Sequence, residues 1–320
     1  MRHFLDFERP IAELEGKIEE LRHLSTDSGL NIAEEVGRLE AQANRLLRQS
    51  YARLNSWQKV LVARHPERPH CSDYIAGLVT EFVPLAGDRA FAEDPAIVGG
   101  IGRFRGRSVM VLGTEKGADT DARVRHNFGM ARPEGYRKAR RLMRLAERFG
   151  LPVLTLVDTA GAYPGVDAEA RGQSEAIARA IETALDIRVP VIAAIIGEGG
   201  SGGAIALAAG NAVLMLEHAV YTVISPEGCA SILWRDAGEK KKAAAAFKPD
   251  ALHCLELGVI DGIVPEPAGG AQNDHDAAAR LLGASLEAAL EELEPVPGDE
   301  LRRLRRAKFR AIGGVKAVAT

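Results

Sequence analysis

The sequence predicts an α/β protein with a largely parallel sheet, preceded by two long helices. Short β-branched apolar runs alternate with helical stretches from about Phe82 onward. In the first seventy residues, apolar residues recur at spacings of three and four. The 33 glycines gather mostly in the central region, where they read as punctuation between elements and not as a linker.

Each element follows from local pattern. Ile11, Leu14, Ile18 and Leu21 mark one narrow apolar stripe, and Ile32, Val36, Leu39, Ala43 and Leu46 mark a second. The polar break Ser25-Thr26-Asp27-Ser28-Gly29 lies between them, so an antiparallel helical hairpin is expected, as a packing appendage without chemistry of its own. Pro66 and Pro69 punctuate the chain before the main domain. Strands are expected over 96–104, 108–113, 152–157, 189–196, 212–216 and 219–224, and helices over 134–149, 172–185, 203–209 and 277–293. A basic tail with Arg302, Arg303, Arg305 and Arg306 follows and reads as a solvated helix face or a partner contact. The expected division is a hairpin extension over 1–75, a main domain over 76–296 and a basic tail over 297–320.

Composition excludes several classes. Of 320 residues 46% are hydrophobic, and a net charge of −3 lacks the basic excess that bulk nucleic-acid binding needs. Cys71, Cys229 and Cys254 show no metal-ligand spacing and read as reduced thiols, so no metal is expected in this chain. Acidic residues interrupt the N-terminus where a signal peptide needs an apolar stretch, and no run reaches the ~18 apolar residues of a membrane span. A soluble cytoplasmic protein is expected.

Two strand-to-helix junctions carry the chemistry. One reads Asp158-Thr159-Ala160-Gly161-Ala162-Tyr163-Pro164-Gly165; the other reads Gly197-Glu198-Gly199-Gly200-Ser201-Gly202-Gly203. Glycine admits close backbone approach, and free N–H groups where a loop enters a helix favour an anion or a developing oxyanion. No Lys follows the glycines, which excludes a phosphate-binding loop of the GxxxxGK[ST] type. Gly197, Gly199 and Gly202 match GxGxxG only formally. Gly199 to Gly203 also satisfies G-x-S-x-G, but His218, His253 and His275 lack the context of a hydrolase triad.

Together with Arg171-Gly172-Gln173-Ser174-Glu175-Ala176, Ser225-Pro226-Glu227-Gly228-Cys229-Ala230, Leu85-Ala86-Gly87-Asp88-Arg89, Arg125-His126-Asn127-Phe128-Gly129-Met130 and Pro133-Glu134-Gly135-Tyr136-Arg137-Lys138, these junctions closely resemble the alpha subunit of bacterial acetyl-CoA carboxylase carboxyltransferase over nearly the whole chain. Ala160 stands where that family usually has Pro, and Gln272 where His is common. The resemblance implies a crotonase-like spiral of ββα units with the N-terminal helical hairpin as an extension. The implied reaction moves a carboxyl group from carboxybiotin, on the biotin carboxyl carrier protein, to acetyl-CoA, giving malonyl-CoA in the first committed step of fatty acid synthesis. Biotin is then a group presented in trans, and the partners are a beta subunit (α2β2), the carrier and biotin carboxylase.

The same resemblance assigns Gly202 and Gly203 to a backbone oxyanion hole for biotin. It assigns Gly161, Ala162, Tyr163, Pro164, Gly199, Gly200, Ser201 and Arg137 to substrate binding. Glu198 is the side chain best placed to act as a base, against biotin itself and against a role in orienting the loop. Arg123, Arg125, Arg132, Arg137 and Lys138 form a basic cluster that reads equally as a contact for CoA phosphates or the acidic carrier and as an exposed, solvated helix face. A stand-alone crotonase-type enoyl-CoA hydratase or isomerase is the alternative reading, with Glu198 and Glu227 as its candidate carboxylates.

Overall fold

The computed structural model describes residues 3–28 and 32–313. Eight strands form one sheet: β1 (Val79–Pro84), β2 (Ile97–Phe104), β3 (Arg107–Thr114), β4 (Val153–Thr159), β5 (Val191–Gly200), β6 (Ala212–Leu216), β7 (Val220–Thr222) and β8 (Gly262–Val264). Their order is β1-β2-β3-β4-β5-β6-β8, with β7 on the far end of β5. The first two pairings are antiparallel, and every pairing from β3 to β8 is parallel. Every residue of β4 and β5 is buried, which is why both read as unbroken apolar runs with no alternation.

Two small residues on facing strands show that both sheet faces are covered. Gly113 sits opposite Val98 and Gly99 opposite Leu112, so the two glycines present opposite faces. A side chain at Gly113 would meet Cys71 of the helix Cys71–Leu78, and one at Gly99 would meet Leu142 of the helix Pro133–Phe149. The Pro133–Phe149 helix packs along Gln173–Asp186 on its side, while Cys71–Leu78 packs along His275–Leu293 on the other. Pro at the first turn and left-handed Gly150 at the end bound Pro133–Phe149.

The hairpin forms as expected, from Arg9–Ser28 and Ala33–Tyr51. Ile18 packs with Leu39 and Ala43, while Ile11 packs with Leu47 and Tyr51, so the helices run antiparallel. The first helix continues through most of the polar break, and Gly29 lies outside the described residues. Gln272 donates to the Tyr51 hydroxyl at 3.0 Å, and that hydroxyl donates to Glu8 at 2.8 Å. Gln272 thus ties the hairpin to the main body.

The basic tail needs a correction. Its arginines lie on a helix, Gly298–Ala311, and Arg303 is solvated as expected, but Arg305 is 1% exposed. Its guanidinium donates to the carbonyls of Ala184, Ile187 and Val189 and to the Asn211 side chain. Residues 314–320 of that expected tail lie outside the described residues.

Candidate functional site

The glycine run is half strand. Pairing of β7 with β5 at Glu198, Gly199 and Gly200 prolongs β5 to Gly200, and the helix Ser201–Ala208 starts at once. The expected loop over 197–203 is therefore the end of a strand, and the helix begins two residues before the expected 203. A side chain at Gly199 would stand 2.7 Å from the Tyr221 ring, and one at Gly200 would overlap the Ala160 carbonyl. Both glycines are accounted for by close packing. Ser201 adopts φ 51°, the left-handed turn of a G-x-S-x-G elbow. The histidines a triad would need are engaged elsewhere: His253 with Asp250 at 2.8 Å, His275 with the Glu67 carbonyl, and His218 against the Tyr51 ring.

Beyond the elbow, the two junctions meet. A Cβ on Gly203 would lie 2.7 Å from the Gly161 carbonyl carbon, 2.8 Å from the Ala162 nitrogen and 3.0 Å from the Tyr136 hydroxyl. Gly202 differs: the nearest atoms to a Cβ there belong to Ile177, at 3.7 and 3.8 Å, and the residue is half-buried. The N–H groups of Ser201, Gly202 and Gly203 open the helix and lack intrahelical acceptors. The opposing loop is pinned from behind. Thr159 Oγ1 exchanges hydrogen bonds with Gly161, the Tyr163 N–H donates to the Ala131 carbonyl, and Gln173 Nε2 donates to the carbonyls of Ala131 and Tyr163. Tyr163 and Ala162 are half-buried and Pro164 is exposed, so this loop lines the mouth of the turn. Arg137 lies behind it, bonded to the Arg171 carbonyl and facing Asp88 and Glu134 at 3.7 and 3.8 Å.

Glu198 points into a buried ionic cluster. Lys116 Nζ lies 2.7 Å from both Asp158 and Glu198, and Arg64 lies 2.6 Å from Glu198 and 2.9 Å from Glu227. Asp158 also accepts the Glu198 N–H at 2.8 Å, locking the ends of β4 and β5 together. Burial alone would raise the Glu198 carboxyl, but Lys116 and Arg64 bring it down to about 2. A carboxylate so committed makes a poor base at neutral pH, and Glu227 shares the same arginine. This removes the two carboxylates that the hydratase reading requires.

Arg64 and Arg68 follow the helix Ser56–Ala63, in a segment expected to be an appendage. Arg68 donates to the Ile196 carbonyl of β5 at 2.8 Å and pairs through both terminal nitrogens with Glu266, at 2.8 and 2.6 Å. Neither arginine was foreseen at the site, since in sequence they stand 134 and 198 residues from their acidic partners. Glu266, like Glu198, would be raised by burial but is brought to about 2, here by Arg68. A carboxylate depressed in the folded state adds stability above its unfolded pKa and loses it as pH falls through the folded one. Denaturant midpoints should therefore drop as pH falls from the ordinary 4.5 toward 2. A flat midpoint across that window would contradict both ion pairs.

The expected basic cluster does not form one patch. Lys138 is buried against Glu93, Arg132 pairs with Asp167 at 2.8 Å while lying over the Tyr163 ring, and Arg137 is engaged as above. Among the described residues no group of three or more His, Cys, Asp or Glu is placed to hold a metal ion, and no helix is long and apolar enough to cross a membrane.

Residues 4–313 match the family model described as acetyl co-enzyme A carboxylase carboxyltransferase-like. The acetyl-coenzyme A carboxylase carboxyl transferase subunit alpha of Paramagnetospirillum magneticum is 63% identical over 97% of this chain and 98% of its own length. That of Rhodospirillum centenum is also 63% identical, with the same coverage. Among solved structures, transcarboxylase 12S superposes with a TM-score of 0.58 at 20% identity, over 71% of this chain and 42% of the other. A Pseudomonas malonate decarboxylase hetero-tetramer in complex with coenzyme A gives 0.55 at 20% identity, over 68% of this chain and 88% of the other. These structural likenesses establish a shared fold. The chain belongs to the acetyl co-enzyme A carboxylase carboxyltransferase-like family.

Proposed function

We propose that this chain is the alpha half of a carboxyltransferase centre that moves a carboxyl group from carboxybiotin, on a carrier protein, to the methyl carbon of acetyl-CoA, giving malonyl-CoA. The observation that carries the reading is the junction of the two glycine loops, where the helix Ser201–Ala208 opens against Gly161 and Ala162 and its first N–H groups lack intrahelical acceptors. Carboxybiotin, a co-substrate presented in trans, supplies an activated carboxyl group; breaking its N–C bond leaves negative charge on the ureido oxygen, and the biotin so freed takes the proton that the methyl carbon loses as the new carbon–carbon bond forms. The N–H groups of Gly202 and Gly203 receive that charge, aided by the positive end of the helix. Gly202 suits the role because it carries no side chain, and a Cβ there would meet only Ile177, at ordinary contact distance. Tyr163 and Pro164 shape the approach, while Glu198 holds the end of β5 in register through Asp158 and Lys116.

The second half of the site comes from a beta subunit, in an α2β2 assembly served by the carrier and biotin carboxylase. Exposed apolar side chains after β7 support such a partner. Val223, Ile232 and Leu233 are 76%, 72% and 64% exposed on the segment after β7, and Tyr221 of that strand packs on Gly199. The test is malonyl-CoA formation by this chain with and without the beta subunit. Product in the mixture alone supports the proposal; hydration of an enoyl-CoA by this chain alone would overturn it.

A further inference from the structure

Behind the ionic cluster lies a cavity of about 220 Å³, at the carboxyl ends of β3, β4 and β5. In parallel sheets this end is where ligands are received. Arg64, Arg68, Lys116 and Arg123 line it, against the carboxylates Asp158 and Glu198. Three of the four cations are matched by acids. Arg123 is not: its Nε donates to the Gly117 carbonyl at 3.2 Å, its Nη2 to the Pro66 carbonyl at 3.5 Å, and among the described residues no carboxylate pairs with it. A guanidinium held by two carbonyls at a cavity wall retains donors and a full charge for a guest.

The opposite feature is Phe128, which lines the same cavity and is 51% exposed. It sits in a run of three left-handed residues, Asn127, Phe128 and Gly129, with φ of 48°, 55° and 76°. Such a run is strained for the two side-chain-bearing members and persists only where the surroundings enforce it. They do: His126 Nδ1 is 2.6 Å from the Pro95 carbonyl, and Asn127 Nδ2 donates to the Met130 carbonyl at 2.7 Å. At Gly129 a Cβ would stand 2.9 Å from Lys116 and 3.0 Å from the Asp158 carbonyl. The turn is thereby seated on the ionic cluster while its phenyl ring stays in solvent, an arrangement that core packing does not require.

We propose that this cavity receives an oxyanionic group, a carboxylate or a phosphate, on the Arg123 guanidinium, with the flat or apolar body of the same ligand against the Phe128 ring. The pocket borders the proposed transfer site through Asp158, Ala160 and Glu198, but the assignment is of binding to this chain alone and does not depend on carboxyl transfer. Calorimetric titration of the full chain with acetate, benzoate, inorganic phosphate and phenyl phosphate tests it, and the carboxylate and phosphate arms separate the two sources. Saturable binding of benzoate or phenyl phosphate, tighter than that of acetate or phosphate, is expected. Arg123→Gln should weaken it by about tenfold or more, the loss of one charged hydrogen bond. Arg125→Gln, which removes the same charge two residues away on an exposed side chain, should leave it unchanged. Phe128→Ala should abolish the advantage of the aromatic ligands while keeping the anion. Equal losses in the two arginine variants, retained affinity in Arg123→Gln, or absence of saturable binding to the unaltered chain would each overturn the assignment.

Discussion

Replacing Gly203 with valine should lower carboxyl transfer by about 10²–10³-fold, the usual cost of losing one oxyanion donor. The β-carbon alone would stand inside contact distance of the Gly161 carbonyl carbon and the Ala162 nitrogen, at 2.7 and 2.8 Å. Both atoms belong to backbone, so relief requires the two loops to separate and the N–H groups to turn away from their target. The exposed side chains of Val223, Ile232 and Leu233 lie outside this contact, so association with the partner subunit should survive. Gly202→Ala is the matched comparison. Its methyl group meets only Ile177, at ordinary contact distance, so the variant should fold normally, keep its N–H in place and lose much less activity. Malonyl-CoA formation by the assembled enzyme, with size-exclusion chromatography of the complex, measures both. Unchanged turnover in the Gly203 variant would remove this turn from the reaction.

Arg305→Met should destabilise the chain by about 3 kcal/mol or more while leaving the site's chemistry intact. The guanidinium satisfies three buried carbonyls, and each acceptor left without a donor costs about 1–3 kcal/mol. Two of them, Ala184 and Ile187, lie at the C-terminus of the helix Gln173–Asp186, where a cation also opposes the negative end of the dipole. Burial depresses the Arg305 pKa to about 10, which still leaves it charged at neutral pH. Methionine keeps the apolar stem but donates nothing. The urea midpoint should fall accordingly, and a midpoint within experimental error of the unaltered chain would show that water replaces the lost donors at no cost.

The sheet was legible where strands are buried on both faces. The runs at 152–157 and 189–196 anticipate β4 and β5, whose residues are buried throughout. Two strands escaped for physical reasons. Strand β1 is an edge strand ending in proline, with Glu81 at positive φ and four exposed residues, so it shows neither alternation nor an apolar run. Strand β8 has only three residues, too few for any periodicity. The glycine turn was found from composition, yet its boundary was misread because the pairing with β7 that extends β5 is a tertiary contact. Arg64, Arg68 and Lys116 had no local signature. Their importance comes from burial beside acids that lie far along the chain, and single-sequence patterns do not report that.

Those long-range pairs also constrain biosynthesis. Arg68 is fixed by Glu266, 198 residues later. At ribosomal rates of ~5–20 residues per second, about 10–40 s pass between the emergence of the two. During that interval the hairpin can close upon itself, but Arg64 meets Glu198 only after 134 further residues and Arg68 has no acid until Glu266 appears, so the segment bearing them cannot finish docking. The start of the chain is thus among the last parts to reach its final position. The interval in which it waits is set by translation speed as well as by thermodynamic stability.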